Sequence, residues 1–391
     1  MAMAQAKPSE ISPSKTPVLE GKRNSPHQLL ALTSIRFFAA LLIVIKHGFE
    51  CFGISKPIDP SNLGLWQGVT CFFVLSGFIL TYVHPIINTR KEAFRFLVAR
   101  FARIWPGYAA SLLFLIAAVP QFLNTPHVLW KLFANFSLIQ AWTFNRSCFS
   151  AFNTPTWSVS VELVFYLSFP FLIRSFSTTW RWKVALSLIL SLLMVALVTA
   201  RYYPDFPALG TSAPELININ PLTRMFEFLC GMAAALSFMH SKRLKEISES
   251  QATTWQLLSV IAVIFSIALP SIWHLAPQLR SLEALRTWVI YCGIAPAYAS
   301  LVLSLALEKG LLNKILTNNT LVYLGELSYS LFLFHYPAFL LFFQFKTIWE
   351  HYPIGLVAVA WGITCLLLSM ASFEFIEKPC RKAIVRKLSP A

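Results

Sequence analysis

Residues 33–49 read T-S-I-R-F-F-A-A-L-L-I-V-I-K-H-G-F, with Arg36 and His47 eleven positions apart in an apolar run. At about 100° per residue, eleven steps turn about 1100°, within about 20° of three full turns. In a helix the two side chains therefore share one face, about 16 Å apart along the axis. The run approaches the length of a membrane span, where ionisable groups are costly unless they face protein or a polar cavity. Two of them on one face point to a functional face. The plainer reading has Arg36 snorkelling to the interface and His47 satisfied in a core. It explains each residue alone better than it explains the pair.

Composition agrees with a membrane setting. Of 391 residues, 56% are hydrophobic and 13% charged, against about 25% charged in soluble domains, and mean hydropathy is +0.61. The fold class expected is all-α, a polytopic membrane bundle of about ten transmembrane helices in one domain. The ten apolar segments are 33–50, 66–84, 105–123, 157–176, 182–200, 221–240, 254–273, 284–306, 321–345 and 354–376. Segment 127–142 is broken by Lys131, Asn135 and Gln140 and is expected at the interface or re-entrant. Trp66, Trp105, Trp157 and Tyr352 stand near segment ends and read as interfacial anchors.

With the N-terminus inside, 22 Lys and Arg fall in inner segments and 7 in outer ones. That bias predicts both termini and the 84–104 loop in the cytosol, with 124–156 facing outward. The net charge of +15 is then a topology signal and an attraction to anionic headgroups of the lipid bilayer; no nucleic acid is needed. Residues 1–28 are Pro/Ser/Lys-rich and read as a disordered cytosolic tail without a cleavable signal peptide. Residues 383–391 are expected to be a second cytosolic tail. The seven Cys show no C-x-x-C spacing, so no metal site is expected. Cys51 and Cys148 fall in expected outer loops and pair only if that compartment is oxidising; two free thiols is the simpler reading.

Five further stretches stand out: G-V-T-C-F-F-V-L-S-G-F-I-L-T at 68–81, R-F-L-V-A-R-F-A-R-I-W-P at 95–106, N-T-P-T-W-S-V-S-V-E-L-V-F-Y at 153–166, L-G-E-L-S-Y-S-L-F-L-F-H-Y-P at 324–337, and F-E-F-I-E-K-P at 373–379. In this order, on a ten-span chain, they resemble the membrane-bound acyltransferase-3 family, which includes O-acyltransferases of polysaccharides and antibiotics. The resemblance runs from about residue 29 to about 382. It implies transfer of an acyl group, acetyl first among them, from cytosolic acyl-CoA as co-substrate to a hydroxyl. The acceptor it implies is a carbohydrate or lipid-linked glycan at the outer face of a bacterial inner membrane. Arg36 with His47 is similar to the family's Arg, ten residues, His motif, and Arg100 with Arg103 to its R-x-x-R motif. Some relatives append an extracytoplasmic esterase-like domain, which is not expected after the tenth segment here.

The residues allow a physical reading beside that resemblance. Acyl transfer from a thioester needs a base, oxyanion stabilisation and a hold on the anionic donor. A neutral imidazole suits the base, and His47 sits near the outer end of its segment. Glu50, at i+3, either fixes the ring tautomer or is a solvated rim carboxylate. Glu162 lies at a depth like that of His47 and reads as an acid/base partner or acceptor ligand, or as a buried structural carboxylate. Ser158 and Ser160 read as helix-entry hydroxyls rather than nucleophiles. Arg100 and Arg103, at i and i+3, offer guanidinium forks suited to phosphates, although positive-inside topology alone also places Arg there. Arg36 either touches the donor or pairs with Glu377. His335 reads as a structural histidine. The competing function class is a transporter or flippase of glycan or lipid, for which repeated halves are expected and none are found in the sequence.

Overall fold

The computed structural model describes residues 28–53, 63–143, 145–202, 205–206, 211–274 and 283–388; the N-terminal tail lies almost wholly outside them. The chain forms α1 (Leu30–Phe52), α2 (Gly68–Val83), α3 (Arg90–Ala118), α4 (Val128–Phe136), α5 (Trp157–Leu172), α6 (Phe176–Tyr202) and α7 (Pro221–His240). It continues through α8 (Glu249–His274), α9 (Glu283–Trp288), α10 (Ala295–Ala306), α11 (Asn319–Gln344), α12 (Ile354–Ser372) and α13 (Lys378–Leu388). A two-residue antiparallel pair, Asp205–Phe206 with Thr211–Ser212, follows α6.

Nine helical stretches among the described residues are long and apolar enough to cross a membrane. The expected fourth segment is the exception. Its helix α5 has 16 residues, about 24 Å at 1.5 Å per residue, led in by a 3-10 turn at Thr154–Thr156. The protein is an all-α, multi-pass membrane bundle.

Two boundaries depart from the hydropathy reading, for one reason. The basic run before the third segment is not a loop, because α3 begins at Arg90. Thr89 accepts from the Glu92 amide at 3.1 Å, and Glu92 accepts from the Thr89 amide at 3.2 Å, a reciprocal cap that nucleates the helix early. At the C-terminus, α12 runs through a π turn at Phe373–Glu377 into α13, so residues 383–388 of the expected tail are helical. Charge lowers hydropathy without stopping a capped helix.

Helix α4 is short and two-faced. Lys131 and Asn135 turn inward, and Asn135 Nδ2 donates to Lys131 O and Cys148 O. Leu129, Trp130 and Phe133 point outward, as lipid contact demands. No disulfide joins Cys51 and Cys148; both are free thiols.

The centre of the bundle is α2 against α7 and α1 along α11. A Cβ on Gly77 would lie 2.0 Å from Phe228 O, and one on Gly231 would lie 2.0 Å from Val74 O. These two glycines let α2 and α7 touch backbone to backbone. Helices α6 and α8 are peripheral, with 17% and 22% of their apolar windows buried. Because α1 and α2 run in opposite senses, Arg36, Val83, Arg100 and Arg103 gather at one end of the bundle. That end is termed the basic end; His47 and Gly68 lie toward the far end.

Candidate active site

Near the basic end opens a cavity of about 280 Å³. It is lined along α2 from Val69 to Val83, a run of about 21 Å at 1.5 Å per residue. Arg36 of α1 and Arg100 and Arg103 of α3 all face it. None of the three makes a hydrogen bond or ion pair with a described residue, and Arg100 Nε is buried without a partner. The Arg100 guanidinium lies 5.9 Å over the Phe96 ring. One carboxylate, Glu162, is among the lining residues; Tyr166 donates to it, and Ser76 Oγ lies 3.4 Å from Oε1. Glu377 stands behind the cluster, bonded by Ser330 and fitted against the bare Cα of Gly107. Just beyond α2, burial and then the Arg100 charge lower the His84 pKa to about 4, so His84 adds no charge there at neutral pH.

The three guanidinium groups repel one another, and Glu162 and Glu377 offset only part of their charge. Such a cluster is electrostatically suited to an anion. The sequence grouped Arg36 with His47 along one helix; the structure groups it with Arg100 and Arg103. Glu162 also joins this cavity rather than sharing one with His47. It sits at the level of Ser76, eight residues along α2 from Gly68 toward the basic end, and not at the depth of His47.

A second cavity, about 270 Å³, lies toward the far end. His47, Lys46 and Glu50 of α1 line it, with Trp66, Trp157, Asn218 and Tyr291. Trp66 and Trp157, expected as interfacial anchors, are thus walls of this chamber. The Trp66 indole N–H is buried without a partner. Tyr291 lies on a π turn, Val289–Gly293, and its carbonyl accepts from Arg224 Nη1 at 2.6 Å. Arg224 pairs with Glu227 at 2.9 Å, both fully buried. The sequence signal for this pair, not among the expectations above, is two opposite charges at i and i+3 inside an apolar segment.

Glu50 does not orient His47. It pairs with Lys46 at 2.5 Å. His47 Nδ1 instead lies 2.8 Å from Nε2 of His335, and the rings are nearly parallel at 13°. His335 Nδ1 is 2.7 Å from Phe332 O. A carbonyl only accepts, so His335 Nδ1 carries the proton and, in the neutral ring, its Nε2 is an acceptor. His47 Nδ1–H then donates to it, which leaves the lone pair on His47 Nε2. No described residue bonds that nitrogen. His335, expected as a structural histidine, is the group that sets the tautomer of His47.

The segment carrying His335 is pinned by its own irregularity. Pro337 cannot bond the Leu333 carbonyl four residues back, and Asn153 Nδ2 donates to that oxygen at 2.8 Å. Trp361 Nε1 donates to His335 O at 3.2 Å. The serines of the W-S-V-S-V-E stretch are structural and cap no amide at the start of α5. Ser158 donates to Pro155 O at 3.1 Å. Ser160 donates to Leu138 O at 2.6 Å and accepts from the Ala141 amide at 3.3 Å.

Fold and site together define a multi-pass membrane protein in which a cavity faced by three arginines adjoins a second one that holds a histidine with a free lone pair. The chain belongs to the acyltransferase family whose model is described as an acyltransferase domain and matches residues 29–372. It is similar to the acyltransferase MdmB of Streptomyces mycarofaciens, at 26% identity over 92% of this chain and 93% of that one. It is also similar to the peptidoglycan O-acetyltransferase OatA of Listeria monocytogenes, at 25% identity over 82% of this chain and 52% of the relative. The O-acetyltransferase OatA of Staphylococcus aureus matches at 24% identity over 92% of this chain and 58% of the relative. The chain thus spans little more than half the length of the two OatA proteins. No solved structure matches.

Proposed function

We propose that this membrane acyltransferase moves a short acyl group, acetyl first, from acyl-CoA to a hydroxyl of a carbohydrate-containing acceptor. The donor enters from the cytosol at the basic end, and the acceptor comes from the outer side of the bacterial inner membrane. The observation that carries the reading is the set of three unpartnered arginines. Coenzyme A brings a diphosphate and a 3′-phosphate, and planar guanidinium forks match both. The thiol arm then follows the cavity along α2, about 21 Å, and presents the thioester toward the far chamber. The Listeria relative, a peptidoglycan O-acetyltransferase, together with the aromatic walls of Trp66, Trp157 and Tyr291, supports a sugar ring as the acceptor.

The chemistry follows from the tautomer. His47 Nε2 accepts the acceptor's hydroxyl proton as the oxygen attacks the thioester carbonyl. The C–O bond forms, the C–S bond breaks, and the proton passes from the imidazolium to the departing thiolate. Trp66 Nε1–H is a free donor for the developing oxyanion. Glu162, held by Tyr166 and Ser76, balances part of the arginine charge and positions the donor. Transfer is direct, because Ser158 and Ser160 are bonded to carbonyls with no base beside them.

The test is incubation of the purified protein with labelled acetyl-CoA and with membranes carrying surface glycan. Release of free coenzyme A with label on the glycan is expected. Movement of glycan across the bilayer without donor turnover would instead make the protein a transporter. Sidedness is tested separately, with Ser147→Cys in a chain free of native Cys. Labelling from outside intact cells is expected; labelling only after lysis would invert the proposed topology.

A further inference from the structure

The two cavities meet at one place. Val69 of α2 and Phe332 of α11 line both, and no other described side chain does. Both are apolar and buried. Val69 is β-branched, with one strongly preferred rotamer in a helix. Its neighbour Gly68 is packed so closely that a Cβ there would lie 2.2 Å from Ala39 O. The Phe332 ring is braced edge-on by Phe72 at 6.2 Å and lies 5.8 Å from the His335 ring. Its carbonyl is the one that fixes the His335 proton. Neither side of this wall moves without disturbing the helix crossing or the histidine pair.

We infer that Val69 and Phe332 form the acyl aperture of the enzyme and set the chain length it transfers. The inference rests on the acyl-CoA reading above. A thioester approaching along α2 reaches His47 only with its carbonyl at this wall. The acyl tail must then fit between a valine and a phenylalanine that already close the two cavities from each other. Close-packed walls of this kind resist added volume. One methylene is worth about 10- to 200-fold in a fitted apolar site. Acetyl and propionyl fit the space, and longer chains are excluded.

The test uses inverted membrane vesicles of the producing host, which carry the native acceptor, supplied with acetyl-, propionyl-, butyryl- or hexanoyl-CoA. Vesicles lacking the protein give the background. Acyl incorporation is compared for wild type, Val69→Ala, Val69→Ile and Phe332→Leu, each checked for monodisperse elution after solubilisation. Wild type is expected to favour acetyl over butyryl at least tenfold. Val69→Ala and Phe332→Leu are expected to reduce that ratio about tenfold by raising butyryl transfer, and Val69→Ile to increase it. A ratio within twofold of wild type in every folded variant, or a wild type that prefers hexanoyl, would overturn the aperture while the donor reading stands. If wild type incorporates acyl groups from none of the four donors, the acyl-CoA reading fails and the aperture falls with it.

Discussion

The two cavities are nearly equal in volume, about 280 and 270 Å³, yet they handle charge in opposite ways. At the basic end three arginines are left without partners beside one carboxylate. At the far end the formal charges are closed into the Lys46–Glu50 pair, and the remaining polar side chains are imidazole, indole, phenol and amide. An open charge is tolerable only where the ligand brings its opposite. A closed set suits a neutral alcohol and a proton in transit. Helix α1 serves both, with Arg36 in one chamber and His47 in the other.

The largest effect should come from the far cavity. His47→Ala is expected to lower turnover by about 10²- to 10⁴-fold, while donor affinity stays within twofold of wild type. Retention of more than about a tenth of wild-type turnover would remove His47 as the base.

The basic cavity should respond in the other parameter. Arg36→Ala, Arg100→Ala and Arg103→Ala should each weaken coenzyme A binding by about ten- to a hundredfold. That corresponds to about 1.5–3 kcal/mol for a lost charged hydrogen bond. Lys should restore only part, lacking the planar fork. Arg36 sharpens the comparison, since its loss should appear in donor affinity and not beside His47 in turnover alone. Titration calorimetry in detergent at fixed salt reads this directly.

His335 comes next. It positions His47 without meeting the reactants, so His335→Ala should cost about tenfold in kcat and leave donor affinity unchanged. His335→Gln should recover part of the loss, because its amide oxygen accepts from His47 Nδ1–H. Equal losses in both variants, matched by a lower melting temperature, would reduce His335 to a packing role.

The smallest effect is expected at Gly107. An added Cβ would lie 2.7 Å from a Glu377 carboxylate oxygen. Gly107→Ala should therefore cost about 1–3 kcal/mol of stability through overpacking, read as a lower melting temperature. An unchanged melting temperature would show that Glu377 is free to move.

Much of this was legible before the fold. The apolar segments, the shared face of Arg36 and His47, and the Arg100/Arg103 doublet follow from period and charge in one stretch of chain. What was not legible depends on distant segments meeting. His47 and His335 are 288 residues apart, and a histidine within a span looks structural until its partner is known. Counting residues from a segment end puts Glu162 level with His47, whereas the packing of α5 sets it beside Ser76 and Arg36. The early start of α3 and the continuation into α13 were hidden because charged residues lower hydropathy even where a cap and a cavity keep them helical. The π turns at Val289–Gly293 and Phe373–Glu377 carry Tyr291 and Glu377 into place, and a one-residue insertion in a helix leaves no period to read.

The division of labour between the cavities is tested most directly by measuring acetyl-CoA binding and single-turnover acyl transfer on the same purified samples of wild type, His47→Ala and Arg103→Ala. The account predicts that His47→Ala binds the donor as wild type does and does not transfer it. It predicts that Arg103→Ala binds about ten- to a hundredfold more weakly and, once saturated, transfers within about tenfold of the wild-type rate. Loss of donor binding in His47→Ala, or wild-type binding in Arg103→Ala, would contradict it.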